Sequence, residues 1–249
     1  MLVMNSITAQ KIIELNREFY TRFGAEFSST RQRLQPGVKR ILDSLRGDES
    51  VLDIGCGNGE LARELTRRNH HGSYLGVDFS LPLLDAASAP HSFPVKFIQG
   101  DLSSATWSFD LRPFDAAQGM PSTFNIVFAF AVLHHIPSVE MRLNILKTVK
   151  DLLTGDGKFI MSNWQFLNSE KLRARIQPWA QVNIRADEVD EGDYLLDWRS
   201  GGNGLRYARH FSGEELSALA HQIGMRVSAA FLSDGKDGNL GLYQIWDKG

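Results

Sequence analysis

The sequence predicts an α/β fold in which helices cover both faces of a doubly wound, mainly parallel sheet. Short apolar runs bounded by glycine or polar residues recur along the chain, and such runs are typical of buried strands. Helical patterns lie between them, and a regular alternation of strand and helix favours a parallel sheet. The five runs are SVLDIG (50–55), SYLGVD (73–78), VKFIQGD (95–101), FNIVFAFA (124–131) and GKFIMSN (157–163).

The predicted helices follow these strands in order along the chain. Short helical patterns at 60–68 and 81–88 come after the first and second strands, and a longer one at 141–153 comes after the fourth. Gly155 and Gly157 follow the longer pattern, and glycine commonly stands just beyond a helix end. We therefore predict that this helix closes at the two glycines.

The C-terminal part of the chain returns to regular structure after an irregular stretch. In the segment 212–224, Ser212 and Glu215 match a capping box at the start of a helix. Two apolar runs, 226–234 and 240–247, are joined by the turn-rich GKDGN. These two runs predict a terminal β-hairpin.

Composition indicates one domain over residues 1–249, since 43% hydrophobic content supplies a sizeable core. The longest apolar runs, such as 126–133, are too short to cross a bilayer, and the chain does not start with a targeting pattern. The single cysteine, Cys56, cannot form an internal disulfide, which fits a reducing compartment. We expect a cytoplasmic protein without a membrane segment, whose net charge of -2 gives no general attraction to nucleic acid.

The stretch VLDIGCGNGE (51–60) places three glycines between the first strand and the first helix. In a doubly wound sheet this turn lies in the ligand crevice, where glycine lets the backbone approach a bound molecule. The stretch lacks the P-loop lysine, and Glu60 stands where a dinucleotide fingerprint has glycine. Together with the acidic Asp53, this pattern favours a ligand that carries an ammonium group and no phosphate.

Acidic residues also follow the next two strands. Asp78 is placed to accept hydrogen bonds from the two vicinal hydroxyls of a ribose. Asp101 is placed to accept from an adenine amino group, with the backbone N–H of Leu102 beside it. Each acid alone is more often a helix cap or a turn residue. At successive strand ends they predict a nucleoside site.

From about residue 36 to the C-terminus the sequence resembles the class I S-adenosylmethionine-dependent methyltransferases. The resemblance rests on VLDIGCGNG, GVDFS, IQGDLS and AVLHHIP. It implies a Rossmann-like, seven-stranded sheet, mostly parallel with a reversed last strand, and S-adenosyl-L-methionine as cofactor. The implied cofactor-binding residues are Arg31, Asp53, Gly55, Cys56, Gly57, Asn58, Gly59, Asp78, Phe79, Ser80, Asp101, Leu102, Phe130 and Ala131.

Three further segments resemble the tRNA wobble-uridine carboxyl methyltransferases. They are FSSTRQRLQPGV (27–38), LHHIPSVEMRLNIL (133–146) and LRYARHFSGEEL (205–216). The resemblance implies esterification of a carboxymethyl group on the anticodon uridine, a tRNA partner and a small activator subunit. By the same resemblance, Arg31 is favoured over Arg33 for binding the carboxylate of the methionine moiety. Two alternatives stay open: a small-molecule methyltransferase acting on a carboxylic acid or hydroxyl, and a binding module that has lost transfer.

The chemistry of a carboxylate acceptor suggests where its binding residues lie. A carboxylate with a pKa of about 4 is already ionised near neutral pH and needs no general base, and a guanidinium can bind both of its oxygens.

We interpret 165–211 as an irregular substrate cover and 1–47 as an N-terminal helical cap. The acidic run at 187–193 counts against RNA binding. The expected catalytic residues are Arg199, Arg206, Tyr207 and His134.

Adjacent histidines at 134 and 135 raise the question of a metal site. Neighbouring residues on a helix point about 100 degrees apart, so His134 and His135 cannot easily share one ligand. We expect no metal, with one histidine at the pocket and the other packed or exposed. Trp164, at the end of the fifth strand, is a further candidate for the acceptor wall.

Overall fold

The computed structural model describes residues 4–29, 33–87, 89–104, 107–108 and 122–248. Its α-helices are α1 (Ser6–Ser29), α2 (Pro36–Leu42), α3 (Glu60–Arg67), α4 (Leu81–Ala87), α5 (Val139–Leu152), α6 (Glu170–Arg173) and α7 (Gly213–Gln222). Its strands are β1 (Ser50–Ile54), β2 (Ser73–Asp78), β3 (Val95–Gln99), β4 (Phe124–Phe130), β5 (Leu153–Trp164), β6 (Ile176–Gln177), β7 (Asp193–Trp198), β8 (Gly204–Arg209), β9 (Arg226–Ser233) and β10 (Gly241–Asp247).

Seven strands form one sheet in the order β3-β2-β1-β4-β5-β10-β9. The pairs from β3 to β5 are parallel, whereas β10 runs antiparallel to both of its neighbours. The predicted seven-stranded sheet with a reversed last strand is therefore confirmed. Because the strand order reverses between β1 and β4, a ligand crevice is expected beside the loop that follows β1.

Apolar side chains on both faces of the sheet pack against the helices. On one face, Leu52 and Ile54 join the cluster that contains residues of α5 and α7. On the other face, Val51 joins the cluster that contains residues of α2 and α3. Burial on both faces explains why the strand sequences are nearly continuous apolar runs rather than alternating ones.

The strand register brings the loops that carry the predicted ligand residues to one edge. Ile54 pairs with Val77, and Asp78 pairs with Gln99, so β1, β2 and β3 end at nearly the same level. The segments that follow these three strands consequently meet at the carboxyl edge of the sheet.

The end of α5 differs from the sequence prediction. The helix ends at Leu152 and β5 begins at Leu153, so Gly155 and Gly157 lie inside the strand rather than beyond the helix. A Cβ atom on Gly157 would come within 3.0 Å of Leu153 and 3.1 Å of the Phe124 carbonyl oxygen. We infer that glycine is used there for close packing of the strand onto its neighbours.

The segment 165–211 is more regular than the sequence suggested. It contains β6, β7 and β8, which form a separate three-stranded antiparallel sheet. Adjacent Leu195 and Leu196 are both buried, on opposite faces of β7. Burial on both faces removed the alternating pattern that would have revealed the strand.

The helix α1 packs against β8 and against α4. Phe19 of α1 meets Trp198 edge to face, with ring centroids 5.7 Å apart. A Cβ atom on Gly204 would lie 2.6 Å from the Phe23 ring, so glycine is required for this close approach. Among the helices within the described ranges, none combines the length and apolar character needed to cross a membrane.

Candidate active site

A cavity of about 540 Å³ lies at the carboxyl edge of the large sheet, within the size range of small-molecule sites. Its wall is formed by α1, by the loops after β1, β2, β3 and β4, by the end of β5 and by the turn between β9 and β10. Ten predicted cofactor residues after Asp53 share this wall with it: Gly55, Cys56, Gly57, Asn58, Asp78, Phe79, Asp101, Leu102, Phe130 and Ala131.

The three glycines of the loop after β1 have different structural roles. All three have positive φ angles, at 74° for Gly55, 54° for Gly57 and 72° for Gly59. A Cβ atom on Gly55 would lie 2.5 Å from Val132, and one on Gly59 would lie 2.8 Å from Ala87, whereas nothing lies within 4 Å of the corresponding point on Gly57. Gly57 therefore leaves open space for a ligand, and Gly59, which is not in the cavity wall, serves helix packing instead.

Asp78 links the glycine loop to the segment after β2. Its carboxylate accepts hydrogen bonds from the backbone N–H groups of Gly57 and Ser80, both at 2.9 Å. Burial raises the pKa of Asp78 above its ordinary value. A carboxylate has about four acceptor positions, so it can still accept from two hydroxyls. Ser80 holds Asp78 in place and does not itself line the cavity.

Asp53 is a buried acid in the floor of the cavity. It accepts a hydrogen bond from the Tyr74 hydroxyl at 2.6 Å. Burial raises the pKa of Asp53 to about 7, even though the Tyr74 hydrogen bond favours ionisation. The negative charge of nearby Asp78 adds to the increase. Asp53 is thus poised to ionise when a positively charged group binds beside it.

We expect this acid to make donor binding depend on pH. An ammonium group binds the carboxylate and not the carboxylic acid, so the affinity for S-adenosylmethionine should fall as Asp53 becomes protonated below its pKa of about 7. The expected loss is about tenfold between pH 7.5 and pH 6, measured by calorimetry. In the Asp53→Asn variant the affinity should be lower and nearly independent of pH. A wild-type affinity that stays constant over this range would show that Asp53 does not bind the ammonium group.

Asp101 is paired with a side chain that the sequence did not connect to it. Arg17 of α1 forms an ion pair with one carboxylate oxygen, and the backbone and hydroxyl of Ser103 donate to the other. Burial opposes ionisation, but the hydrogen bonds from Ser103 and Arg17 outweigh it and lower the pKa of Asp101. Asp101 is ionised at neutral pH and has acceptor capacity left for an amino group.

Three further residues, Ala131, Cys56 and Arg31, were also predicted to bind the cofactor. Ala131 has a φ angle of 59°, and its N–H donates to the backbone and hydroxyl oxygens of Ser162. Burial raises the pKa of the Cys56 thiol, so Cys56 is a small neutral wall residue and not a nucleophile. Arg31 lies outside the described residues, while Arg33 lines the cavity.

His135, and not His134, is the histidine in the cavity wall. His135 Nε2 lies 2.9 Å from the Tyr20 hydroxyl, and its Nδ1 lies 3.2 Å from the carbonyl oxygen of Tyr207. The carbonyl can only accept, so Nδ1 carries the hydrogen and Nε2 accepts from Tyr20. His134 is 2% exposed, and its Nδ1 accepts a 3.4 Å hydrogen bond from the Trp164 N–H. The structure therefore places the expected catalytic His134 in a packing position.

The other three expected catalytic residues do not line the cavity either. Tyr207 is fully buried, and its hydroxyl donates to Asp193 at 2.9 Å. The Arg206 guanidinium is buried behind the wall, 4.9 Å from the Trp164 ring centroid. Arg199 lies in a separate groove between α1 and the small sheet. Arg206 and Tyr207 lie on β8, which packs on α1, and this packing places both side chains outside the crevice.

An N-terminal helical cap was expected, but the residues through which α1 contributes to the wall were not identified from the sequence. Ile13, Asn16, Arg17 and Tyr20 recur at helical spacing and face the cavity together. Their period was visible, but nothing local indicated which face of this helix would pack over the strand ends. Asn163 was also missed, whereas Trp164 lines the cavity as suggested. Within the part of the chain that the structure describes, no group of three or more potential metal ligands converges.

The comparisons with known proteins agree with this geometry. A family model described as a methyltransferase domain matches residues 27–230. A protein of Encephalitozoon cuniculi with a provisional methyltransferase name is 29% identical over 210 residues, which are 84% of this chain and 86% of the relative. The tRNA (carboxymethyluridine(34)-5-O)-methyltransferase of Schizosaccharomyces pombe is 26% identical over 156 residues, which are 61% of this chain and 58% of the relative.

Solved structures show the same fold. The 1,6-didemethyltoxoflavin-N1-methyltransferase of Burkholderia thailandensis, solved with S-adenosylhomocysteine, has a TM-score of 0.63 and 16% identity. The match covers 99% of this chain and 91% of that one. The open space at Gly57 and the carboxylate of Asp78 fit a nucleoside-bearing donor. The chain belongs to the methyltransferase-domain family, as a class I enzyme whose cofactor is S-adenosyl-L-methionine.

Proposed function

We propose that the protein transfers the methyl group to a carboxylate oxygen of a carboxymethylated uridine at the wobble position of tRNA. The observation that carries this proposal is that Arg33 lines the cavity that also contains Asp53 and Asp78. A planar guanidinium can donate two parallel hydrogen bonds to a carboxylate. The partial similarity to the fission-yeast wobble-uridine enzyme supports this choice of acceptor.

The residues of the chain have to position the acceptor and exclude water. S-adenosylmethionine supplies an electrophilic methyl group on a sulfonium, and displacement at that carbon needs an aligned, ionised acceptor. In this proposal Arg33 orients the carboxylate, Trp164 offers a flat surface to the base, and α1 shields the reaction from water. A carboxylate is already ionised at neutral pH, so no residue has to remove a proton. The tRNA and a small activator subunit are the partners that we propose.

We expect tRNA from a strain without wobble carboxyl methylation to be labelled by the protein and radioactive S-adenosylmethionine. After digestion to nucleosides, the label should appear in the wobble uridine. Arg33→Lys keeps the charge but loses the fork, so the rate should fall about tenfold or more while donor affinity is unchanged. Arg226→Lys on the outer strand β9 is the matched control. An equal loss of donor affinity in Arg33→Lys would assign Arg33 to the donor carboxylate instead.

A second candidate is a small molecule whose hydroxyl accepts the methyl group. It is favoured by the pair of Tyr20 and His135, because Nε2 of His135 can take a proton from an acceptor through the Tyr20 hydroxyl. This candidate requires a rate that rises with pH, because the proton of the acceptor hydroxyl has to be removed, and a large loss of rate in Tyr20→Phe. A carboxylate acceptor instead gives a nearly constant rate from about pH 6 to 8. The pH profile of the rate thus separates the two candidates.

A further inference from the structure

We propose that Asn163 recognises the acceptor by a paired hydrogen bond to the imide edge of its pyrimidine base. This inference rests on the proposed function, because it assigns a residue to the uracil ring that bears the carboxymethyl group. It makes Asn163 a specificity-determining residue, separate from the site of the donor nucleoside.

The Asn163 amide is buried without satisfying its hydrogen-bonding groups. The residue is 1% exposed, and neither its Nδ2 nor its Oδ1 has a hydrogen-bond partner within the described ranges. Native proteins pair nearly all buried polar groups, so each exception calls for an explanation. Gln244, also 1% exposed, shows the usual arrangement, since its amide donates to the Gly213 carbonyl and accepts from the Trp246 ring nitrogen.

The position of Asn163 points to the acceptor rather than to the donor. It lies at the carboxyl end of β5, between Ser162 and Trp164, and all three residues line the cavity. The acids assigned to the donor, Asp53 and Asp78, belong to β1 and β2, and β4 separates them from β5. Asn163 therefore lies on the side of the cavity where Trp164 provides aromatic surface.

The chemistry of a primary amide defines the group that it can recognise. The amide presents one donor direction beside one acceptor direction, so its complement is an edge with an acceptor beside a donor. Uracil offers this edge through its N3–H group and an adjacent carbonyl oxygen. A site with buried groups of this kind strongly rejects a ligand that lacks their partners, because the groups are then left unpaired. A carboxylate bound by Arg33 would fix one end of the base and Asn163 the other.

The test compares 5-carboxymethyluridine with its N3-methyl derivative, each titrated calorimetrically into the complex with S-adenosylhomocysteine. The wild-type protein should prefer the unmethylated nucleoside about tenfold or more, because N3-methylation removes the donor of the edge. In Asn163→Leu this ratio should fall close to one, while affinity for S-adenosylhomocysteine stays within about twofold of wild type. With undermethylated tRNA, the same variant should show a raised KM.

Thermal unfolding supplies a readout that does not depend on the acceptor. Asn163→Leu removes an amide without partners and should not lower the Tm. Gln244→Leu leaves the buried ring N–H of Trp246 without its acceptor and should lower the Tm by about 4 °C or more. A Tm loss in Asn163→Leu equal to that in Gln244→Leu would show that the amide has a structural partner, which overturns the inference.

Two remaining outcomes distinguish a failure of the role assigned to Asn163 from a failure of the proposed acceptor. If the wild-type protein labels the tRNA but Asn163→Leu keeps the wild-type preference between the nucleosides, only the role of Asn163 is overturned. If the wild-type protein binds neither nucleoside and leaves the tRNA unlabelled, the proposed acceptor fails, and the inference fails with it.

Discussion

Replacing Asp78 by alanine is expected to weaken the binding of S-adenosylmethionine by about a hundredfold or more, or close to 3 kcal/mol. The substitution removes the predicted acceptor of the ribose hydroxyls. It also leaves the N–H groups of Gly57 and Ser80 without the carboxylate that now accepts from both. The glycine loop would lose its link to the segment after β2. Calorimetric titration of both proteins with S-adenosylmethionine measures the effect.

Two further variants test whether the loss of donor affinity is specific to the Asp78 carboxylate. Asp85→Ala changes an exposed acid on α4, near the same edge of the sheet, and should leave donor affinity unchanged. Asp78→Asn keeps the size of the side chain and should still bind the donor much more weakly than wild type. Wild-type affinity in both Asp78 variants would contradict the assignment of this acid to the ribose.

Replacing Tyr207 by alanine is expected to destabilise the protein by about 3–5 kcal/mol, as for other large aromatic residues in a core. The ring is fully buried in a cluster with Ile12, Trp179 and Leu195. Its hydroxyl and the Arg209 guanidinium both donate to the buried carboxylate of Asp193. The loss therefore combines a cavity with an incompletely satisfied acid. Urea unfolding followed by fluorescence gives the change in the free energy of unfolding.

The companion variant Tyr207→Phe measures the contribution of the hydroxyl alone to the free energy of unfolding. It should cost about 1–2 kcal/mol, because only one hydrogen bond to a charged group is lost. Donor affinity of the folded fraction should be unaffected in both variants, since Tyr207 does not line the cavity. A Tyr207→Ala protein with wild-type stability and no methyl transfer would return Tyr207 to the expected catalytic role.

The large sheet and the donor half of the cavity could be predicted because their signals are local. Continuous apolar runs identify strands that are buried on both faces, and the glycine loop and the acids stand directly at strand ends. Asp53, Asp78 and Asp101 reach one cavity through strand register alone. The packing of Gly59 against Ala87 could not be predicted, because it depends on a contact that is distant in sequence.

The acceptor half could not be predicted because it depends on long-range packing. Tyr20 meets His135 only because α1 packs over the strand ends, and no local pattern fixes that position. Which of the two histidines lines the cavity depends on the short helical turn after β4. In that turn the His135 ring meets Tyr20, whereas the His134 ring accepts from the Trp164 N–H. An acceptor cover made from 165–211 stays a prediction; α1, and not that segment, contributes to the described wall.

The alkali lability of the methylated product tests the central claim most directly. Radioactively methylated wobble nucleoside, isolated after the reaction with tRNA, would be treated with mild base and then analysed for volatile label. A carboxylate acceptor gives a methyl ester, so the account predicts complete release of the label as methanol, together with recovery of carboxymethyluridine. Label that stays on the nucleoside after this treatment would contradict ester formation and would favour a hydroxyl or nitrogen acceptor.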